Sequence, residues 1–483
     1  MQRESNLNFR QGSDCNIEVA DSTSSYFISN LPFSFLTSYQ GNGFNTSVAL
    51  FAGFILLFVL LKQLRGRKQP TKRKIASLSR RKSQSFADIV YISAIYPSHA
   101  YPMLGYFSEL EAQGFTFDVY GPNNVAKLFS QGDRNCFEFP ELHHNDSPTG
   151  IMKSLCAGLL ETYPAIEAMW AEINYRPKLI ITDYSTTYAS YLSKKLQIPL
   201  LVYYPFYFTN DPKRFIYNEL EKGYSKMIAV SAIIKLLEVF LKYGVFLTCC
   251  ERINIRGDQN ISSTPKFIGD MIFNPNKANY HYIGPGFRDV KTVLNSETQF
   301  NYSLLKGPLV IFVSLGTLFL NSVHPEQYKN IAEAFRDSEE TVIIAAPKEV
   351  IQTLSRKKYK SSRNVHFESW VPQLEVLAHS KLFITHAGTG GYLEGLAAGV
   401  PMLCLPNYAE QGINSRVAVD LNIGRWLDQK DRSPAKIRKV AEEIIADKTI
   451  KESCEKYAAM INKTESRRKF TEVVKSMLNS ELK

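Results

Sequence analysis

The 483-residue chain is 45% hydrophobic and 21% charged, ordinary values for a protein that folds around real cores, and its length suits about three units of roughly 150 residues. Its net charge of +11 is concentrated, because ten basic and no acidic residues lie between Lys62 and Lys82; without that block the charge falls to +1. That excludes a broad cationic footprint for nucleic acid, and seven cysteines, odd in number and without a C-x-x-C pair, point to free thiols of a reducing compartment and not to a zinc site or a disulfide framework.

Residues 1–43 are rich in Ser, Asn, Gln and Gly and read as a poorly ordered tail. Val48–Leu61 is an unbroken apolar run, and extension to residues 44–64 reaches the roughly 20 residues of a transmembrane helix. A buried core helix is the other reading of so short a run. A signal peptide is disfavoured by the 47 preceding residues and by the basic cluster that follows. Lysine and arginine bias orients a single-pass protein with its tail outside or lumenal and its body in the cytosol. The basic linker, residues 65–86, suits anionic headgroups, or is a solvated spacer that only sets topology. In this orientation the sequons at Asn145, Asn260, Asn301 and Asn462 face the cytosol and stay unmodified.

From Asp88 the texture becomes α/β. Strand-length apolar runs at Asp88–Ala94, Phe115–Tyr120, Leu179–Thr182 and Leu200–Tyr203 alternate with helical patterns at Leu104–Gln113 and up to Leu196. Lys226–Tyr243 carries an apolar stripe at helical spacing, read as core or as a membrane- or acceptor-facing surface. After a Gly, Pro and polar seam near Gly284–Lys306 the pattern restarts: strands at Leu309–Val313, Thr341–Ala345, Val365–Phe367, Leu382–Ile384 and Met402–Leu405, and a helix at Gln327–Asp337. Two parallel-sheet halves, 87–290 and 307–483, are predicted to face each other, with ligands at the C-terminal ends of their strands.

The densest signal runs from Glu368 to Arg416. A strand ends at Thr385-His386, and the turn Ala387-Gly388-Thr389-Gly390-Gly391 opens a helix carrying Glu394. Free N–H groups at a helix start bind phosphate, and glycines let it approach. His386 adds a donor there, and Glu394 can accept from a ribose diol. Alone, such a turn is also an ordinary tight loop, with Glu394 merely complementing the helix dipole. Trp370, Pro372 and Gln373 precede it; Gly399-Val400-Pro401, Pro406 and Glu410-Gln411 follow.

This constellation resembles the signature of the family 1, UDP-dependent glycosyltransferases, and is closest to the macrolide branch. The resemblance extends over most of Asp88–Val474. It implies the GT-B fold of two facing Rossmann-like domains, here with an N-terminal transmembrane helix, 87–290 binding the acceptor and 307–483 the UDP-sugar. It further implies that Trp370 stacks on uracil and Gln373 touches the nucleoside. His386, Gly388, Thr389 and Gly390 hold the diphosphate, Glu394 the ribose, and Glu410 and Gln411 the sugar hydroxyls. Ser314, Gly316 and Thr317 match the family's S-x-G-[ST] turn near the β-phosphate. Two departures stand out: Gly390-Gly391 replaces Asn-Ser or Asn-Gly, and Glu410 replaces Asp. There is no D-x-D triplet, which fits diphosphate held by backbone dipoles without a metal or any cofactor beyond the donor.

His99 and Pro102 fit the family's P-x-G-H-x-x-P turn, with Ser98 in place of its glycine. His99 is implied as the general base, and Asp183, at the end of a neighbouring strand, as its orienting carboxylate; a helix N-cap is the other reading of Asp183. The expected activity is inverting transfer of a hexose, glucose first, to a hydroxyl of a lipophilic acceptor at a membrane. Two alternatives stay open: a GlcNAc transferase acting on a lipid-linked oligosaccharide precursor, and an inactive membrane-tethered UDP-sugar-binding protein.

Overall fold

Near-continuous apolar runs such as Ile89–Ile92 and Val310–Ser314 belong to strands covered on both faces, as parallel sheets require. The computed structural model describes residues 76–81, 85–94, 96–139, 158–208, 255–287, 300–307, 310–316, 325–407, 409–461 and 463–480. The expected strands all form, with ends shifted by no more than two residues.

The first sheet contains β1 (Ala76–Ser79), β2 (Ile89–Ile92), β3 (Phe117–Gly121), β4 (Cys136–Glu138), β5 (Leu179–Asp183), β6 (Leu200–Tyr204), β7 (Gln259–Ser262) and β8 (Tyr280–Tyr282), in the order β1-β4-β3-β2-β5-β6-β7-β8. All neighbours are parallel except β1, which runs antiparallel to β4. Helices α1 (Pro97–Ala112), α2 (Asn123–Phe129), α3 (Tyr163–Glu172), α4 (Thr187–Leu196) and α5 (Lys266–Ile272) belong to this half.

The second sheet contains β9 (Val310–Ser314), β10 (Thr341–Ala345), β11 (Val365–Glu368), β12 (Ser380–Thr385), β13 (Met402–Cys404) and β14 (Gly424–Trp426). Its order, β11-β10-β9-β12-β13-β14, is the doubly wound dinucleotide-fold order, and every neighbouring pair is parallel. Its helices are α6 (Pro325–Ala334), α7 (Lys348–Arg356), α8 (Gln373–Ala378), α9 (Thr389–Ala397), α10 (Ala409–Asp420), α11 (Pro434–Ala446) and α12 (Lys448–Ala459). In each sheet the order reverses at one point, between β2 and β5 and between β9 and β12, where such folds open a ligand crevice.

The end of the basic block is structured, contrary to a spacer running to residue 86. Strand β1 pairs with β4, and Arg81 is buried, donating to Asp118 Oδ1 at 3.0 Å and to the Phe117 carbonyl. Asp118 also accepts from the Ala87 N–H and the Asn135 amide. Arg80 lies over the Phe137 ring at 4.8 Å. Arg81 serves the fold and is not free for headgroups.

The last helix, α13 (Lys463–Ser480), follows the second half in sequence but packs on the first: Phe470, Val474 and Met477 join its core, and Phe470 stacks on Tyr106 of α1 with centroids 4.9 Å apart. Between α1 and α13 runs the chain at Gly284–Phe287. Tyr106 donates to the Gly284 carbonyl and Arg467 to that of Phe287, and a Cβ at Gly286 would lie 2.3 Å from the Pro102 carbonyl.

The expected tail 1–43, membrane span 44–64 and helix Lys226–Tyr243 lie outside the described residues, as do Cys15, Cys156, Cys249 and Cys250, and the sequons Asn145 and Asn462. Among the described residues no helix is long and apolar enough to cross a membrane. Cys136, Cys404 and Cys454 are buried free thiols.

Candidate active site

The crevice of the second sheet is built by register. Ser314, the last residue of β9, pairs with Thr385, the last of β12, so the turns beyond them emerge side by side. Gly316 (φ +85°) and Gly388 flank the His386 ring: a Cβ would lie 2.6 Å from Nε2 at the first and 2.3 Å at the second. Any side chain at either position would displace the imidazole. Burial lowers the pKa of His386 to about 4, so it meets a ligand as a neutral hydrogen-bonding group.

Helix α9 begins at Thr389, three residues earlier than a glycine turn ending at Gly391 implies. Its N-cap, Gly388, supplies no side-chain cap, which leaves the first N–H groups for an anion. A Cβ at Gly390 would meet nothing within 4 Å, so the absence of a side chain there is not a steric demand. Thr317 lies outside the described residues.

Gln373, the first residue of α8, donates its amide to Glu394 Oε2. The two residues read as nucleoside and ribose ligands are thus neighbours. Trp370 precedes α8, half-buried and packed against the core of this half. Glu410 and Gln411 sit in the first turn of α10, beyond β13, and Gln411 Oε1 accepts the Asn407 N–H at 2.8 Å. Burial raises the pKa of Glu410, and the nearby charge of His99 lowers it; Glu410 in turn acts on Tyr184. The start of α10 therefore faces the switch point of the other sheet.

There, His99 Nδ1 lies 3.0 Å from Asp183 Oδ2. The Asp183 side chain has no exposed surface, and its other oxygen accepts from the Ser185 N–H and hydroxyl at 2.9 and 2.5 Å. Asp183 ends β5 and does not cap α4, whose N-cap is Thr186. His99 is in the first turn of α1, not in a loop ahead of a helix at Leu104. Pro97 occupies the first helical position, where no N–H is needed, and Pro102 forgoes a single bond. The His99 ring lies between Tyr96 (5.1 Å) and Tyr184 (6.0 Å), and Tyr184 stacks on Tyr204.

Residues without a sequence motif support these loops. Asn414, buried on α10, donates to the Ala387 carbonyl and to Thr389 Oγ1. Arg432, also buried, donates to the Pro406 carbonyl and to Asn407 Oδ1. Only the spacing of Asn414 from Gln411, three residues along one helix face, hints at a shared site. Among the described residues no group of three or more His, Cys, Asp or Glu side chains is arranged to hold a metal ion.

Two Rossmann-like sheets with facing switch points define a GT-B glycosyltransferase fold. Solved structures agree: the glycotransferase of kitacinnamycin superposes with a TM-score of 0.65 at 20% identity, covering 82% of this chain and 100% of that one. In sequence, residues 295–464 match the family described as UDP-glucoronosyl and UDP-glucosyl transferase. An NDP-glycosyltransferase of Bacillus licheniformis is 26% identical over 311 residues, 59% of this chain and 68% of that protein. The oleandomycin glycosyltransferase of Streptomyces antibioticus is 30% identical over 138 residues, 29% of this chain and 31% of that protein. These matches support a family 1 UDP-glycosyltransferase, an enzyme that moves a sugar from a UDP-sugar to a small-molecule acceptor.

Proposed function

We propose that this enzyme transfers glucose from UDP-glucose, with inversion and without a metal, to a hydroxyl of a lipophilic acceptor at a membrane. The observation that carries the reading is the His99–Asp183 contact of 3.0 Å, which occupies Nδ1 and leaves Nε2 for the acceptor. His99 takes the hydroxyl proton, the freed oxygen bonds to the anomeric carbon, and the bond from that carbon to the UDP oxygen breaks with its electron pair leaving on UDP. Asp183 holds the tautomer and stabilises the imidazolium. Ser314, Gly316, Thr317, His386, Gly388, Thr389 and Gly390 receive the departing diphosphate. Trp370, Gln373 and Glu394 take the nucleoside, and Glu410 and Gln411 take the sugar.

The lipophilic acceptor is supported by the aromatic surroundings of His99, the rings of Tyr96, Tyr184 and Tyr204. The single-pass anchor at 44–64 with a cytosolic body rests on the apolar run and the basic residues after it. The test is incubation of the detergent-solubilised full chain with a panel of UDP-sugars and a membrane lipid extract, with and without EDTA, read by mass spectrometry. A glucosylated neutral lipid or sterol, formed equally with EDTA, is expected. GlcNAc on a phospholipid-linked saccharide would favour the first alternative, and no UDP release from any donor would favour an inactive binding protein.

A further inference from the structure

Ala387 stands at φ +60°, a left-handed conformation disfavoured for any residue with a Cβ, in the middle of the turn between β12 and α9. Both its backbone groups are engaged from the protein side. The N–H donates to Thr385 Oγ1 at 3.1 Å, and the carbonyl accepts from Asn414 Nδ2 at 2.9 Å. The same amide donates to Thr389 Oγ1 at 3.2 Å. Asn414 is 2% exposed and comes from α10, the helix whose first turn carries Glu410 and Gln411.

We propose that Asn414 is a positioning residue that aims the phosphate-binding turn, a role that rests on reading His386–Gly391 as the diphosphate site. In a trans peptide the C=O and the following N–H point in opposite directions. With the Ala387 carbonyl drawn towards α10, the Gly388 N–H is turned away from α10. The contact with Thr389 fixes the first residue of α9, so the uncapped N–H groups at its start share one orientation. The side chain thereby ties the turn that receives the diphosphate to the helix that receives the sugar. Its loss frees the Ala387 peptide to leave its left-handed conformation and rotate. The Asn414 amide donates to Ala387 and Thr389, and the nucleoside side of the site, Trp370, Gln373 and Glu394, is left alone.

The experiment is calorimetric titration of the full chain in detergent with UDP and, separately, with uridine, for the wild type, Asn414→Ala and Asn414→Asp. Alanine removes the donor; aspartate keeps the shape and sets an acceptor against the Ala387 carbonyl. The wild type should bind UDP more tightly than uridine. Asn414→Ala should bind UDP roughly tenfold more weakly, the effect of one buried hydrogen bond, with uridine held within about twofold. Asn414→Asp should lose more UDP affinity and equally little for uridine. Variants that bind UDP like the wild type would overturn the role of Asn414 while leaving the diphosphate site standing. Variants that lose UDP and uridine alike would also overturn it, because Asn414 would then hold the half together and not aim the turn. A wild type with no preference for UDP over uridine would sink the diphosphate reading itself, and the inference with it.

Discussion

Asp183 Oδ2 lies 3.0 Å from His99 Nδ1, across the point where the first sheet reverses its strand order, and the carboxylate has no exposed surface of its own. Its other oxygen is saturated by Ser185, so the carboxylate cannot swing away from the imidazole. A fixed acceptor for Nδ1–H defines the tautomer in which Nε2 is free to accept a proton, as the proposed base requires.

Removal of that base should be felt in turnover and not in donor binding. His99→Ala is expected to lower kcat by roughly 10²–10⁴-fold, the usual contribution of general base catalysis. UDP affinity, which the proposed donor site assigns to the other sheet, should be unchanged by titration. Asp183→Asn should do part of the same damage. Near-normal turnover in His99→Ala would move weight to the lipid-linked GlcNAc transferase reading.

Trp370→Ala tests the placement of uracil. Base stacking on an aromatic ring contributes about 1–3 kcal/mol, so UDP affinity should fall by roughly ten- to a hundredfold. The indole packs only at the edge of its core, so the thermal transition should survive. Unchanged UDP binding would put the base elsewhere.

His386 makes a statement about pH. Its folded pKa of about 4 lies below the ordinary value of 6.5, so the unfolded chain binds the extra proton first. Its contribution to stability is complete above pH 6.5 and is lost as the pH falls from there towards 4, by at most about 1.4 kcal/mol per pH unit. His386→Gln, which cannot titrate, should narrow the stability difference between pH 7 and pH 4 in urea unfolding. An identical pH dependence in both proteins would show the ring to be solvated.

The buried pair at the end of the basic block gives a stability test. Arg81→Met leaves the Asp118 carboxylate in an interior that already pushes its pKa upward, and should cost roughly 3–5 kcal/mol. Adding Asp118→Asn should recover part of that loss in urea unfolding. A loss below about 1 kcal/mol would mean that the pair behaves as a solvent-exposed one.

The long strands and the glycine turn between β12 and α9 were legible because each is a local pattern: a β-branched run, or glycines between a strand and a helix. Strands β1, β4, β7, β8 and β14 were not. Their sequences, such as Tyr280–Tyr282 and Gly424–Trp426, are short or polar and become strands only by pairing with a formed neighbour. The prolines at 97 and 102 read as a turn, whereas the first turn of a helix accepts proline and so carries His99 on α1. Asn414 and Tyr184 needed the fold, since nothing in their local sequence states that α10 leans on the Ala387 carbonyl or that a tyrosine lies beside His99. The packing of α13 on α1 is likewise invisible to a reading that assigns residues to halves by chain order.

The remaining prediction tests the proposed single-pass topology with a cytosolic body, and burial decides which sequon can report it. Asn260 has no exposed surface; its amide donates to the Gly257 and Asn279 carbonyls, and its oxygen accepts the Gly257 N–H. A glycan there would be incompatible with β7, so a folded protein carries none in either orientation, and its absence says nothing about topology. Asn301 is exposed, its oxygen accepting from the Ser303 N–H and hydroxyl at the start of a short 3₁₀ turn, and a glycan would project into solvent. In sealed vesicles with the cytosolic face outward, added protease should digest the body and spare the N-terminal tail, and Asn301 should be unmodified by mass spectrometry. A glycan on Asn301, or a body protected from protease until detergent is added, would reverse the orientation and assign the basic residues from Lys62 to Lys74 a role other than holding the chain on the cytosolic side.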